Sequence, residues 1–168
     1  MSCDVYKKVA ISILASLKNK ENAVVAVSSS NKCVDTNKVA RGLAGAFGSM
    51  ELSVALLNAK VDGVEEISKT DTKKTNEKFF EISFENKSGT KMTSLSAKLD
   101  VNEIKSTANI TLIALDEIAN SAPAMMLGSC CDGILLAERK NSSRTDNIDK
   151  AVNVIQNICV KPLGFILV

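Results

Sequence analysis

The residues that could do chemistry in this sequence are concentrated in one short segment and one isolated carboxylate. The segment Ser28–Asn37 places hydroxyls, amides, Lys32 and Asp35 between a Val-rich run and a helical pattern. Loops of this kind bind phosphate when their backbone amides converge on it and a lysine neutralises its charge. Lys32 and Lys38 are the candidate phosphate lysines, although a solvated surface lysine is the simpler interpretation of each. Asp116, which follows another apolar run, could hold Mg²⁺ through water or cap the segment after it.

Histidine is absent from the chain, which removes the usual general base and the commonest metal ligand. The five cysteines are odd in number and scattered: Cys3, Cys33, Cys130, Cys131 and Cys159. Cys130 and Cys131 are adjacent and lack the Cys-x-x-Cys spacing of redox or zinc pairs, so packing at a helix end is favoured. We therefore predict no metal, no cofactor and no disulfide framework, as is typical of reduced cytoplasmic proteins.

Composition narrows the classes of partner. The 168 residues carry a net charge of +2 with both signs dispersed, and aromatic residues make up only 4%. Neither a basic patch nor a set of stacking rings is present, so nucleic acid is not expected as a partner. Residues 1–20 resemble an amphipathic helix more than a signal peptide, and no apolar stretch is long enough to span a bilayer. We expect a cytoplasmic protein that does not insert directly into a membrane.

Five short apolar runs predict the core of a sheet. They are Val24–Val27, Val54–Leu57, Ile110–Leu115, Ile134–Ala137 and Phe165–Val168. Continuous apolar runs, as opposed to alternating ones, are typical of parallel strands that are covered on both faces. Helical patterns separate most of them, over 4–18, 36–47 and 121–131 and in a helix begun by Asp146. The order predicts an α/β fold, a doubly wound and mainly parallel sheet with helices on both faces.

Two further features concern domain organisation. Nothing marks a domain boundary, so 1–168 is interpreted as a single domain. Phe79–Phe84 alternates and is followed by Asn86-Lys87-Ser88-Gly89, which predicts an antiparallel hairpin with Lys91–Leu95 inserted over about 79–97. Residues 60–78 are polar and are expected to be irregular.

Local signals predict particular ends of helices. Asp35 precedes the second helix and should cap it by accepting from the backbone N–H of Asn37 or Lys38. Gly48 fits the C-terminal cap of the same helix. In the first helix, Tyr6 is interpreted as an anchoring ring.

Several segments together resemble the bacterial exopolysaccharide tyrosine autokinases, which are P-loop ATPases. The loop after the first strand, ending in Gly42-Leu43-Ala44, is similar to the family's phosphate loop and helix. Asp4-Val5-Tyr6-Lys7 resembles the family's acidic-x-Tyr-basic start. Asp132-Gly133 followed by a strand ending at Arg139, and the closing strand after Lys161-Pro162-Leu163-Gly164, resemble two later segments. The similarity covers most of the chain in order, apart from residues 61–108, and implies a P-loop NTPase-like fold.

The departures from this family lie where nucleotide would bind. A P-loop requires Gly-x-x-x-x-Gly-Lys-Ser/Thr. The aligned residues here are Ser30, Asn31, Lys32, Cys33, Val34, Asp35, Thr36 and Asn37. Asp35 replaces the second glycine, Thr36 the lysine and Asn37 the hydroxyl residue, while the family's carboxylates after the second strand are Asn58 and Lys60. Of its acidic positions, Asp116 matches. The family's C-terminal tyrosine cluster has no counterpart in this sequence.

The resemblance therefore predicts a non-catalytic pseudo-ATPase that acts through protein partners in exopolysaccharide or capsule biosynthesis. It implies a membrane chain-length regulator or a related kinase as partner, at the inner face of the membrane, and leaves homo-oligomers open. An active but divergent NTPase or tyrosine kinase using Lys32 or Lys38 with Asp116 is the first alternative. A small-molecule sensor that reuses the cleft is the second. Nucleotide binding with Mg²⁺, no ligand, or a non-nucleotide ligand would distinguish the three.

Overall fold

The computed structural model describes residues 3–18, 20–58, 66–76, 79–87, 108–140 and 144–168. Helices and strands follow one another along these segments. They are α1 (Cys3–Ser16), β1 (Ala23–Ser28), α2 (Thr36–Gly48), β2 (Val54–Asn58), β3 (Glu66–Asn76), β4 (Phe79–Lys87), β5 (Ile110–Ala114), α3 (Ala122–Gly128), β6 (Gly133–Glu138), α4 (Thr145–Asn157) and β7 (Pro162–Leu167). None of the described helices is both long and apolar enough to cross a bilayer.

The strands form one seven-stranded sheet in the order β3-β4-β2-β5-β1-β6-β7. β1 lies in its interior and pairs in parallel with β5 and β6, and β2 pairs in parallel with β5. β6 and β7 are also parallel. The five apolar runs thus form parallel strands, and the predicted doubly wound α/β fold is confirmed. The reason is that β1, β5 and β6 are buried along their whole length, as strands covered on both faces must be.

Alternating residues of each strand feed two separate apolar cores. On one face, Val25, Val27 and Leu112 pack with α1 and α2, where Phe47 is fully buried. On the other face, a second cluster joins the opposite side of the strands to α3 and α4. The sheet is therefore a central layer between two helical layers. The loops lie at the two ends of the strands.

The outer part of the sheet differs from the predicted hairpin. β3 and β4 form an antiparallel pair over Glu66–Lys87, and β4 also pairs in parallel with β2. Both edges of β4 are therefore occupied, so the predicted pairing of 79–84 with 91–95 is wrong. The expectation that 60–78 is irregular is likewise wrong for Glu66–Asn76, which is strand β3. The remainder of the predicted insertion, residues 88–97, lies outside the described residues.

The structure confirms one of the three predicted helix caps and contradicts the other two. Asp35 caps α2 as predicted. Gly48, expected as the C-terminal cap, is instead the last residue of the helix, and Ser49 follows it as the cap. α4 begins at Thr145 after Arg144, which makes no side-chain capping bond, so Asp146 lies within the first turn and is not the cap. There its charge still complements the helix dipole.

α1 and α2 meet through an aromatic ring lying on a glycine. A Cβ atom added at Gly42 would lie 2.3 Å from Cζ of Tyr6, far inside van der Waals contact. Gly42 therefore allows the Tyr6 ring to lie directly against the backbone of α2. The predicted anchoring role of Tyr6 agrees with this contact.

Candidate functional site

The candidate site is the loop between β1 and α2, at the carboxyl edge of the sheet. Val27 and Asn58 both pair with Ala114, so β1, β2 and β5 end at nearly the same level. The fold thereby brings the β1–α2 loop to the same edge as Asn58 and the segment that contains Asp116. This edge is where doubly wound folds bind their ligands.

A buried carboxylate from another strand holds the start of the loop. Glu138, the last residue of β6, accepts from the backbone N–H of Ser30 at 2.8 Å and from the Ser30 hydroxyl at 2.7 Å. Ser30 and Glu138 are each only 1% exposed. Carboxylates almost never occur at such depth unless they are hydrogen-bonded, so this pair satisfies Glu138 and fixes Ser30.

Neighbouring hydroxyls and carbonyls tie the loop to the segment after β5. The Ser28 hydroxyl donates to the backbone carbonyl of Asp116, and the backbone N–H of Ile118 donates to the carbonyl of Ser29 at 3.3 Å. The Ser29 hydroxyl donates to the carbonyl of Asn31 at 2.7 Å. Together with Glu138, these contacts fix the first three residues of the loop from two neighbouring strands.

The end of the loop is closed by a second carboxylate. Asp35 Oδ1 accepts from the backbone N–H of Lys38 at 3.0 Å, which is the cap predicted from the sequence. Between the two carboxylates, Asn31 Oδ1 accepts from the backbone N–H of Cys33 at 2.9 Å. The backbone N–H of Thr36 donates to the carbonyl of Val34 at 3.1 Å. Four backbone N–H groups of the loop and the start of α2, those of Ser30, Cys33, Thr36 and Lys38, are thus engaged by acceptors of the protein itself.

The remaining residues of the predicted site occupy different environments. Lys32, Cys33, Asp35 and Lys38 are exposed, and Val34 is buried in the core beneath the loop. Thr36 and Asn37 are half-buried at the start of α2, with Asn37 Oδ1 buried and without a hydrogen-bond partner within the described part of the chain.

The predicted acidic positions are only partly described. Asp116 is exposed just beyond the end of β5. Asn58 is the last residue of β2, and its side chain is not described. Lys60 lies outside the described residues. The fold therefore brings the backbones of Asn58 and Asp116 to the same edge as the loop, and the position of Lys60 stays a prediction.

Two features at the start of α2 oppose the binding of a phosphate group. A phosphate group at the start of α2 would meet the Asp35 carboxylate, which already takes the Lys38 N–H, and Thr36 supplies no positive charge. Among the residues that the structure describes, no group of three or more His, Cys, Asp or Glu side chains is placed to hold a metal ion.

Glu138 is a residue of the candidate site that was not predicted from the sequence. Its type and position gave one signal, a carboxylate that ends a fully apolar strand. The partner of that carboxylate lies 108 residues away, and the contact exists only because β6 lies directly beside β1. Periodicity and spacing along the chain do not predict that β6 lies beside β1.

Comparison with solved structures places this architecture among known folds. The kinase domain of the Escherichia coli tyrosine kinase ETK superposes with a TM-score of 0.71 at 12% identity, covering 92% of this chain and 70% of that one. The VpsO kinase domain gives 0.70 at 14%, covering 96% and 94%. The cell division protein MinD of Aquifex aeolicus gives 0.63 at 13%, covering 87% and 68%.

These likenesses show a P-loop NTPase-like α/β fold, shared with kinase domains and with a cell division protein. At such low identity they show the fold alone. No protein-family model matches the sequence. A search of curated proteins also finds no match.

Proposed function

We propose that this protein is a pseudo-ATPase: a P-loop NTPase-like domain that binds no nucleotide and acts by binding other proteins. The observation that carries the proposal is the internal closure of the loop. Glu138 takes the donors of Ser30, and Asp35 takes the N–H of Lys38. In a working phosphate loop such donors face the ligand, and a lysine and a hydroxyl complete the site. Here Thr36 and Asn37 stand at those two positions.

Several differences from a working phosphate loop each weaken nucleotide binding, and their free energies add. Asp35 opposes the phosphate by charge and competes with it for the start of α2. The lysine that would offset this repulsion is replaced by Thr36, and the exposed Lys32 lies on the loop before it. Every 1.4 kcal/mol that is lost reduces affinity about tenfold, so losing several contacts moves a micromolar site beyond the millimolar range.

The pathway and the partner rest on the resemblance. The neighbouring structures include tyrosine kinase domains, and the chain resembles the exopolysaccharide autokinases in several ordered segments. We therefore infer a role in exopolysaccharide or capsule assembly, in the cytoplasm at the inner face of the membrane. The inferred partner class is the cytoplasmic part of a chain-length regulator or a related kinase.

Calorimetric titration with ATP and ADP in the presence of Mg²⁺ tests the proposal. We expect no dissociation constant tighter than about 1 mM, since Thr36 stands in place of the lysine and the N–H groups of Ser30 and Lys38 already have acceptors. A matched variant restores the loop by Asp35→Gly, Thr36→Lys and Asn37→Thr together, and should bind more tightly than the parent. A micromolar constant for the parent with Mg²⁺ would sink the pseudo-ATPase proposal and favour a divergent active enzyme.

A further inference from the structure

The edge strand β7 carries an open row of backbone groups. The backbone N–H of Val168 donates to the carbonyl of Glu138 at 2.8 Å, and the Val168 carbonyl accepts from Lys140 N–H at 3.3 Å, so Val168 faces β6. Backbone groups alternate in direction along a paired strand. Phe165 and Leu167 therefore direct their N–H and C=O groups away from β6. In the described part of the chain, β7 pairs with β6 alone.

The same two residues expose apolar side chains. Phe165 is 51% exposed and Leu167 is 61% exposed, while Ile166 between them is buried in the core. This arrangement anchors the strand through Ile166 and presents both a hydrogen-bonding edge and an apolar pair to the surroundings. Exposed apolar edges of this kind are uncommon unless something covers them.

The two edges of the sheet differ in charge. β3, the opposite edge strand, has five charged residues in its sequence EISKTDTKKTN. Charges on an edge strand are the usual protection against unwanted pairing. The residues of β7, Pro162–Leu167, include no charged side chain. The β7 edge therefore lacks the protection that the β3 sequence provides.

We propose that β7 pairs antiparallel with β7 of a second copy of this chain, joining two sheets across a twofold axis at Ile166. Phe165 of each copy then lies opposite Leu167 of the other, and each such pair exchanges both of its backbone hydrogen bonds. The strand has no charge to oppose its own copy, so the pairing is self-complementary as a twofold interface requires. A lipid surface would cover the side chains but leave the backbone groups unsatisfied.

Analytical ultracentrifugation over a dilution series tests this proposal, which is independent of the proposed function. We expect a reversible dimer in the roughly micromolar range or weaker, since a single strand pairing is smaller than a standard interface. Phe165→Lys and Leu167→Lys should each weaken it at least about tenfold, because each places a lysine opposite an apolar side chain of the other copy and brings two lysines close diagonally across the axis. Ile11→Lys is the matched control: Ile11 is 58% exposed but lies on α1, and its change should leave the dimer intact.

Hydrogen exchange locates the contact directly. The amides of Phe165 and Leu167 should exchange more slowly as the protein concentration rises, and amides of α1 should not change. Circular dichroism of each lysine variant checks that the fold is retained. A monomer at all concentrations up to about 1 mM overturns the proposal, and so does a dimer that survives both β7 variants or is lost in Ile11→Lys. Binding of vesicles or another protein by a strictly monomeric parent would equally overturn self-pairing.

Discussion

Glu138 accepts hydrogen bonds from Ser30 of the β1–α2 loop and Asp35 accepts one from Lys38 of α2, but the surroundings of the two carboxylates differ. Asp35 is exposed at the start of α2, where solvent screens its charge and its main contribution is the capping bond. Glu138 is buried, and its carboxylate depends on the donors of Ser30. A change at Asp35 should therefore alter anion access with a modest loss of stability. A change at the Ser30–Glu138 pair should act mainly on stability.

Replacing Asp35 by Ala should lower the free energy of unfolding by about 0.5–2 kcal/mol, because the Lys38 N–H loses its acceptor. Asp35→Gly should cost only a few tenths of a kcal/mol and allow weak sulfate binding at the start of α2. Asp35→Asn keeps a capping oxygen without the charge and separates the two effects. Denaturant melts and sulfate titrations measure them. Unchanged stability in Asp35→Ala with no sulfate response in Asp35→Gly would show that this cap does not close the loop.

Replacing Ser30 by Ala should lower the free energy of unfolding by about 1–3 kcal/mol. The change removes the 2.7 Å hydroxyl donor and leaves a buried carboxylate with one fewer partner. Ser12→Ala, on the exposed face of α1, is the control and should stay within about 0.5 kcal/mol of the parent. Urea denaturation compares the variants. Equal stability of the two would mean that the Ser30 hydroxyl is not required to satisfy Glu138.

At the scale of elements, the packing of α1 on α2 depends on the contact between Tyr6 and Gly42. Two helices approach closely where one of them lacks a side chain, and here an aromatic ring fills the space. α2 contains a second glycine, Gly45, with no atom within 4 Å of the position of an added Cβ. Gly42 and Gly45, both within α2, thus form a natural pair of test sites.

Gly42→Ala should destabilise the protein by about 1–3 kcal/mol, because the new Cβ would lie 2.3 Å from Tyr6 Cζ and the ring must move. Gly45→Ala should instead stabilise it by about 0.5–1 kcal/mol, since alanine favours the helix and meets nothing. Thermal and urea melts measure both. In a Tyr6→Leu background the penalty of Gly42→Ala should shrink. Equal effects of the two alanines would argue against the ring contact.

Burial raises the pKa of Tyr6 above its ordinary value of 10.0 by penalising the charged phenolate. The folded state therefore holds this proton more tightly than the unfolded state. The resulting stability is fully present below pH 10 and is lost as the pH rises through the pKa of the folded state. Tyr6 is the single tyrosine of the chain, so phenolate absorbance follows it without overlap. We expect the pKa to fall to about 10 in denaturant. An identical titration in both states would contradict this.

At the scale of the whole molecule, this chain shares its fold with proteins of very different sequence. Structures at 12–14% identity share this sheet and its helices. Such a fold is held by many buried apolar residues, each of which can be exchanged for another of similar size, so sequences diverge widely without loss of the architecture. A phosphate loop depends on a few residues of fixed type, and at the positions predicted for its lysine and its Ser/Thr this chain has Thr36 and Asn37. The fold and the function therefore depend on different residues.

The sequence by itself determined the layered fold and one end of the site. Continuous Val-, Ile- and Leu-rich runs require cover on both faces, so β1, β2, β5, β6 and β7 could be predicted as parallel strands. Asp35 could be predicted as a cap because capping is local: its oxygen reaches a backbone N–H three residues away. Local hydrogen bonds and periodic burial can be predicted because they depend on the spacing of residues along the chain.

The tertiary structure decided the strand order at the margin and the other end of the site. β4 was a recognisable strand, but its partner was mispredicted because the polar sequence of β3 has no apolar periodicity, and pairing is made by backbone groups that every residue carries. The Ser30–Glu138 contact joins residues 108 apart, and the open edge of β7 follows from its place at the end of the sheet. These features depend on which strands become neighbours, and that choice is made by the packing of the whole chain.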